Sequence, residues 1–246
     1  MLKRYQRRAD ALHAKAKREI SLLRHPLILT GSGVSIPSGL SHFQGPIGFW
    51  DQCDCGDISR KEFVHANTKS IFEYFERERF AMRYAKPNSI HYAIASYLSR
   101  VKQDGGNPYL ITQNVDGLHT KAGSETIEVF GCIHRWRCLS CNHSLPAQLN
   151  IKSCPMCRGG LKHDIALFED DILVYPAITH AITHCDGLIL IGANSNTLDT
   201  HGLVEMVRNS GKVAIELNPI IKPSTAHILT VAIEQSLEEI IPLIFS

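Results

Sequence analysis

Four of the eight cysteines fall as two pairs, Cys138-x2-Cys141 and Cys154-x2-Cys157, with twelve residues between the pairs. Thiolates at that spacing close a tetrahedron around Zn²⁺. The sequence between them, CNHSLPAQLNIKSC, is short and polar; it builds no core of its own and draws its folding energy from the metal. All four ligands are protein thiolates, so no position is left for a water, and the expected zinc is structural.

A second chemistry sits in Ile28–Phe43, ILTGSGVSIPSGLSHF. Leu27–Leu29 suits a strand buried on both faces, and Gly31 and Gly33 then let the backbone turn and approach a ligand closely. Ser35 or the residues after it can open a helix whose free N–H groups and positive dipole end favour the pyrophosphate of a dinucleotide. A lone G-x-G also serves as a plain turn, and Ile36 stands near where a dinucleotide fingerprint would carry its third glycine. The stretch Thr112-Gln113-Asn114-Val115-Asp116-Gly117-Leu118-His119 follows a short strand at Tyr109–Thr112. Polar side chains at the carboxyl end of such a strand face the ligand crevice of an open α/β sheet. There Gln113, Asn114 and Asp116 would bond a ribose hydroxyl or a carboxamide; each is equally suited to turn and cap duty.

The elements that must position these groups follow from pattern. A chain of 246 residues, 44% apolar and 20% charged, buries a full core. Strand-like runs at 27–29, 109–112, 126–129, 165–168, 187–191 and 212–217 alternate with helical patterns, which predicts a Rossmann-like, doubly wound parallel sheet. Pro87-Asn88 marks a boundary before a helix over Ser89–Val101, residues 59–84 read as one or two amphipathic helices, and Ala232–Ile241 reads as a C-terminal amphipathic helix. The expected organisation is a basic N-terminal helix at 1–24, a Rossmann-like domain from 25–45, 87–131 and 164–246, a helical insert at 46–86 and a zinc module at 132–163. Insert and module together form the small domain.

The net charge of +2 gives no field that calls for nucleic acid, and no apolar run approaches the ~20 residues needed to span a bilayer. The chain reads as a soluble cytoplasmic protein. Its basic N-terminal residues suit a solvated helix face. Cys53, Cys55, Cys132 and Cys185 read as free thiols of a reducing compartment.

Taken together, the motifs resemble the sirtuin family of NAD-dependent protein deacylases, from Pro26 to the C-terminus. Gly31-Ser32-Gly33-Val34-Ser35 with Ser38-Gly39 resembles that family's G-A-G-x-S-x-x-S-G loop, Pro87-Asn88 with His91 its P-N-x-x-H, and Thr112–Asp116 its T-Q-N-[IV]-D. Ala122-Gly123 and Leu217-Asn218 also match. The resemblance implies NAD held by Gly31, Ser32, Gly33, Ser35, Phe43, Gln44, Gln113, Gly192, Asn194, Ser195 and Asn218, with Asn114 and Asp116 around the nicotinamide, and a structural zinc on the four cysteines. It implies an acylated protein or peptide as substrate.

The chain departs from the family at the chemistry. Phe130 in Val129-Phe130-Gly131 occupies the position of the family's general-base histidine, so the implied catalytic set is Asn114, Asp116 and Phe130. Ser41-His42-Phe43-Gln44 stands for P-D-F-R, Phe168-Glu169-Asp170 for F-G-E, and Leu198-Asp199-Thr200 for V-x-P-A. His134 and His42 are candidate substitutes for the base. The function implied is protein-lysine deacylation; the alternatives are a chain that binds NAD or ADP-ribose without turnover, and an NAD hydrolase or ADP-ribosyl transferase.

Overall fold

The structure is a computed structural model that describes residues 2–40, 68–147, 151–167, 172–193 and 199–246. Six parallel strands form the main sheet: β1 (Pro26–Thr30), β2 (Tyr109–Thr112), β3 (Ile127–Glu128), β7 (Gly187–Ile191), β8 (Val213–Asn218) and β9 (Val231–Glu234). Their spatial order is β3-β2-β1-β7-β8-β9, which is the order of a dinucleotide-binding Rossmann sheet. The strand order reverses between β1 and β7, and the crevice beyond their carboxyl ends is where such sheets bind ligands.

Burial follows from the pleat. Ile28 points to one face with Ile189, Ile191, Ile215 and Leu217, while Leu27 and Leu29 point to the other with Leu188, Leu190 and Ala214. On the first face pack α1 (Leu2–Ser21), α3 (Ser89–Gln103) and α8 (Leu237–Phe245); on the second pack α5 (Tyr175–His184) and α6 (Thr200–Asn209). Each fully buried Leu or Ile contributes about 1.5–3 kcal/mol, so these two apolar layers fix where the strand ends lie.

Between β3 and β7 the chain leaves the sheet to build a smaller antiparallel one, ordered β5 (Ser144–Pro146), β4 (Gly131–Cys138), β6 (Leu161–Ile165). Helix α2 (Thr68–Met82) packs on it through Ile71, Tyr74 and Phe75, and Phe72 stacks on Trp136 with ring centroids 5.7 Å apart. Glu128 of β3 is joined to this sheet by Arg135 at 2.6 Å, and Arg135 also bonds Asp164 at 2.9 Å.

Two strands differ from the sequence reading. The run expected at 165–168 as part of the parallel sheet is instead the end of β6 (Leu161–Ile165), which pairs antiparallel with β4 because the chain returns from the cysteine cluster along that strand. Residues Val231–Glu234 are a strand and the last helix starts at Leu237, whereas the pattern suggested a helix over Ala232–Ile241. Val231 and Ile233 are buried side by side with β8 in parallel register, Ile215 opposite Val231 and Leu217 opposite Ile233. Four residues are too few to separate a period of 2 from one of 3.6, and the sheet edge decides. Among the described residues no helix is long and apolar enough to cross a membrane.

Candidate functional site

At the carboxyl end of β1 the chain runs through Gly31 into a 3₁₀ helix at Ser32–Ser38, and at the end of β7 it turns through Gly192. The two turns touch. Gly31 N–H donates to the Ile191 carbonyl and Gly33 N–H to the Gly192 carbonyl, both at 3.1 Å. A Cβ on Gly31 would lie 2.6 Å from the Ala193 Cα and 2.7 Å from the Gly192 oxygen. Both amides are spent within the protein, so these glycines first serve the closeness of two loops.

The Thr112–His119 stretch comes from β2, the strand beside β1. Thr30 and Thr112 lie opposite each other, their hydroxyls 2.9 Å apart, and Thr30 Oγ1 also meets His119 Nε2 at 2.9 Å. Beyond them the backbone carries Asn114 and Asp116 to the glycine turn. Asn114 Nδ2 donates to the Gly31 carbonyl and to Ser35 Oγ, both at 3.1 Å. Ser35 Oγ donates to Asp116 Oδ2 at 2.7 Å, and Asp116 Oδ1 accepts from Leu118 N–H at 2.8 Å. Ser35, Asn114 and Asp116 are 3%, 8% and 6% exposed, a closed polar cluster under the crevice. Turn and site duties coincide here: Asp116 accepts from the first N–H of the short helix α4 (Leu118–Lys121), whose N-cap is Gly117, while it holds Ser35. With both N–H groups donated, the Asn114 carbonyl oxygen meets no donor among the described residues and is left for a ligand.

Two histidines support this cluster from below. Asn88 caps α3, accepting from Ile90 N–H and His91 N–H, and its amide donates to the Val34 carbonyl and Ser38 Oγ at 2.9 Å. His91 Nδ1 accepts from Asn88 N–H, and the His91 and His119 rings lie 4.7 Å apart. Burial pushes His91 down to about 4, against the pull of Asp116; burial and then His91 push His119 down to about 3. Both rings are neutral at pH 7. His91 is legible as part of a helix start; its contact with His119 depends on α3 and α4 packing together.

Asn218, at the end of β8, reaches the same crevice. Its Nδ2 donates to the Ala193 carbonyl at 2.8 Å and to Glu216 Oε1 at 3.2 Å. Gln113 follows β2 with its N–H on the Thr30 carbonyl at 3.0 Å, and its side chain is half-buried, as is Ser32. Phe130 sits in the turn between β3 and β4, half-buried, its ring packed against both the apolar layer of α5 and α6 and the core of the small sheet. His134, on β4, lies with Cδ2 3.7 Å from where a Gly117 Cβ would be and bonds the Asp116 backbone; burial lowers its pKa. Phe43, Gln44, Asn194 and Ser195, together with His42, Cys53 and Cys55, lie outside the described residues.

In the small sheet the sulfurs of Cys138, Cys141, Cys154 and Cys157 all lie within 4.8 Å of one another. Cys138–Cys157 and Cys141–Cys157 are 3.4 Å apart and Cys141–Cys154 3.7 Å, near the ~3.8 Å edge of a tetrahedron with Zn–S bonds of about 2.3 Å. The two halves are built alike. Asn142 and Arg158, each following the second cysteine of its pair, have positive φ (56° and 64°) and donate N–H to Cys138 O and Cys154 O. Ser140 N–H and Gly159 N–H point at the Cys138 and Cys157 sulfurs at 3.3 and 3.4 Å, the arrangement a thiolate favours. The donor set fits a structural zinc.

Residues 31–198 match the family model described as the Sir2 family. The chain belongs to the Sir2 family. It is 30% identical over 234 residues to the zebrafish (Danio rerio) mitochondrial NAD-dependent protein deacylase sirtuin-5, covering 82% of this chain and 76% of that one. An NAD-dependent protein deacylase of Aeropyrum pernix is 32% identical over 205 residues, covering 80% and 81%. Among solved structures, a Sir2 homolog–NAD complex superposes with a TM-score of 0.78 at 26% identity, covering 94% of this chain and 92% of that one. The parallel sheet, the four-cysteine cluster and the glycine turn agree with that membership.

Proposed function

We propose that this Sir2 chain binds NAD at the crevice between β1 and β7 and uses it to remove acyl groups from lysine side chains of proteins or peptides. The observation that carries the reading is the Ser35–Asn114–Asp116 cluster, held against the Gly31 turn at the switch point of the sheet. Relatives named as NAD-dependent protein deacylases support it. NAD, when bound, supplies a nicotinamide leaving group on an activated ribose. On this reading Gly31, Ser32, Gly33, Ser35 and Gly192 shape the phosphate side, Asn114 offers its carbonyl oxygen to the ribose or carboxamide, and Asp116 locks Ser35 and Asn114 in place. Asn218 holds the far nucleoside. Phe43, Gln44, Gln113, Asn194 and Ser195 complete the set by resemblance.

Phe130 favours a second reading. Its phenyl ring accepts no proton, and loss of a positioned general base costs about 10²–10⁴-fold. Cleavage of the nicotinamide bond depends on electrostatic support rather than on that base, so hydrolysis or ADP-ribosyl transfer follows where acyl transfer stalls. One assay separates the readings: nicotinamide release from NAD with and without an acetyl-lysine peptide. Release that requires the peptide and yields deacetylated product supports deacylation; release without peptide supports the second reading. Binding without release in either case leaves a ligand-binding module.

We further propose a cytoplasmic location, which cell fractionation tests.

A further inference from the structure

Strand β8 carries one ionisable residue, Glu216, in an apolar run, with Leu190 opposite it on β7 and Ala232 opposite it on β9. The residue is 6% exposed, and burial raises its carboxyl pKa, with Glu234 adding to the rise and Lys222 opposing it. A carboxylate inside a parallel sheet is costly unless it is hydrogen-bonded. Its hydrogen bond comes from Asn218 Nδ2 at 3.2 Å, and the other hydrogen of that amide goes to the Ala193 carbonyl at 2.8 Å. A carboxylate and a carbonyl only accept, so the amide has one orientation that satisfies both: nitrogen toward Glu216 and Ala193, Oδ1 turned away from them. Ala193 in turn packs on Gly31, which places the Asn218 oxygen at the crevice end of β8.

We propose that Glu216 is a positioning residue for the nucleoside of the dinucleotide: it holds the Asn218 amide so that Oδ1 stands ready to accept from a ribose hydroxyl or an exocyclic amine. The inference rests on the dinucleotide reading above. Without Glu216 the Ala193 carbonyl alone anchors the amide, so the Asn218 side chain is held at one point instead of two and a hydroxyl or amine donor loses its partner for part of the time. The role gives a reason for an acid where the neighbouring strands have leucine and alanine.

The test is a double-mutant cycle read by calorimetric affinity for ADP-ribose, which needs no turnover. Glu216→Gln keeps the volume but gives up the charge and turns one of the two acceptor oxygens into an N–H donor, which loosens the anchor on Asn218. In the presence of Asn218, Glu216→Gln should weaken ADP-ribose about five- to tenfold; in an Asn218→Ala background it should change affinity by less than about twofold, since contacting groups couple. Equal losses in both backgrounds, or no loss in either, overturn the positioning role. Should Glu216→Gln fail to fold, Glu216→Asp, which keeps the charge and shortens its reach, runs in the same cycle with the same two outcomes. Folded wild-type protein that binds neither ADP-ribose nor NAD overturns the dinucleotide reading itself, before any variant is made, and this inference with it.

Discussion

Ser35 Oγ donates to Asp116 Oδ2 at 2.7 Å, joining two turns that lie 81 residues apart in the chain. Ser35→Ala removes that donor and also the acceptor of one Asn114 N–H, leaving buried polar groups unpaired at a cost of about 1–3 kcal/mol. Thermal unfolding followed by circular dichroism should show a fall of several degrees, and nicotinamide release should drop with it. An unchanged melting temperature would show that water replaces the hydroxyl without loss.

The small sheet should depend on metal. Protein prepared reduced and without chelators is expected to carry one zinc per chain by mass spectrometry. Chelation should expose residues 138–157 to limited proteolysis while α3 and α8 stay protected, because binding energy is folding energy for a module of this size. Protein free of metal yet equally resistant would refute a structural zinc.

The neutral histidines set a pH dependence. His91 and His119 stay unprotonated in the folded state down to about 4 and about 3. The unfolded chain takes up protons near 6.5, so between roughly pH 6.5 and pH 4 it binds more protons than the native state and stability falls as pH falls, by up to about 1.4 kcal/mol per pH unit for each ring. Urea denaturation at about pH 7.5 and about pH 5 should show the loss, and His91→Gln should reduce the difference by roughly half. An identical slope in the variant would move the titration to other groups.

Arg135 holds two carboxylates, Glu128 and Asp164, whose side chains are 8% and 4% exposed. Arg135→Met strands Glu128, while Asp164 keeps Arg137 and Ser144 as partners. Breaking a buried pair from one side costs about 3–5 kcal/mol, and since the Arg135 side chain is 34% exposed the expected loss is nearer about 2–3 kcal/mol. Denaturant midpoints measure it; a change within about 0.5 kcal/mol would class the bridge with ordinary surface pairs.

Phe130→His alone should raise peptide deacetylation little, because Gln44 and His42 still stand where the resemblance has Arg and Asp. The triple change Phe130→His, Gln44→Arg, His42→Asp should exceed the product of the three single gains, as groups acting as a unit do. Efficient wild-type deacetylation that is lost on His134→Ala would instead make His134 the base.

What was legible from sequence was local. The glycine turn, the Asn88 cap and the two cysteine pairs each announce themselves within a few residues, because turns, caps and metal knuckles are made by near neighbours. The Ser35–Asp116 bond and the Glu216–Asn218–Ala193 link depend on which strands lie side by side, and the order β1-β7-β8 is set by packing of whole layers. The edge strand Val231–Glu234 was hidden for the related reason that a short apolar run fits either period until a neighbour is supplied. Glu216 carried a signal that could have been read: a lone acid inside a buried-strand pattern, two residues before an asparagine at the strand end.

The bare contact between Gly31 and the Gly192–Ala193 turn bears on how binding can be studied at all. A methyl group at position 31 acts as a wedge between the mouths of β1 and β7, since backbone atoms, not a yielding side-chain tip, stand 2.6 and 2.7 Å away. Loss of ligand in Gly31→Ala would therefore report a sprung sheet as readily as a missing phosphate cradle. Asn218→Ala empties space instead of filling it, yet it also takes a hydrogen bond from Glu216 and from the Ala193 carbonyl, so a binding-deficient control at either position needs its fold measured beside its affinity.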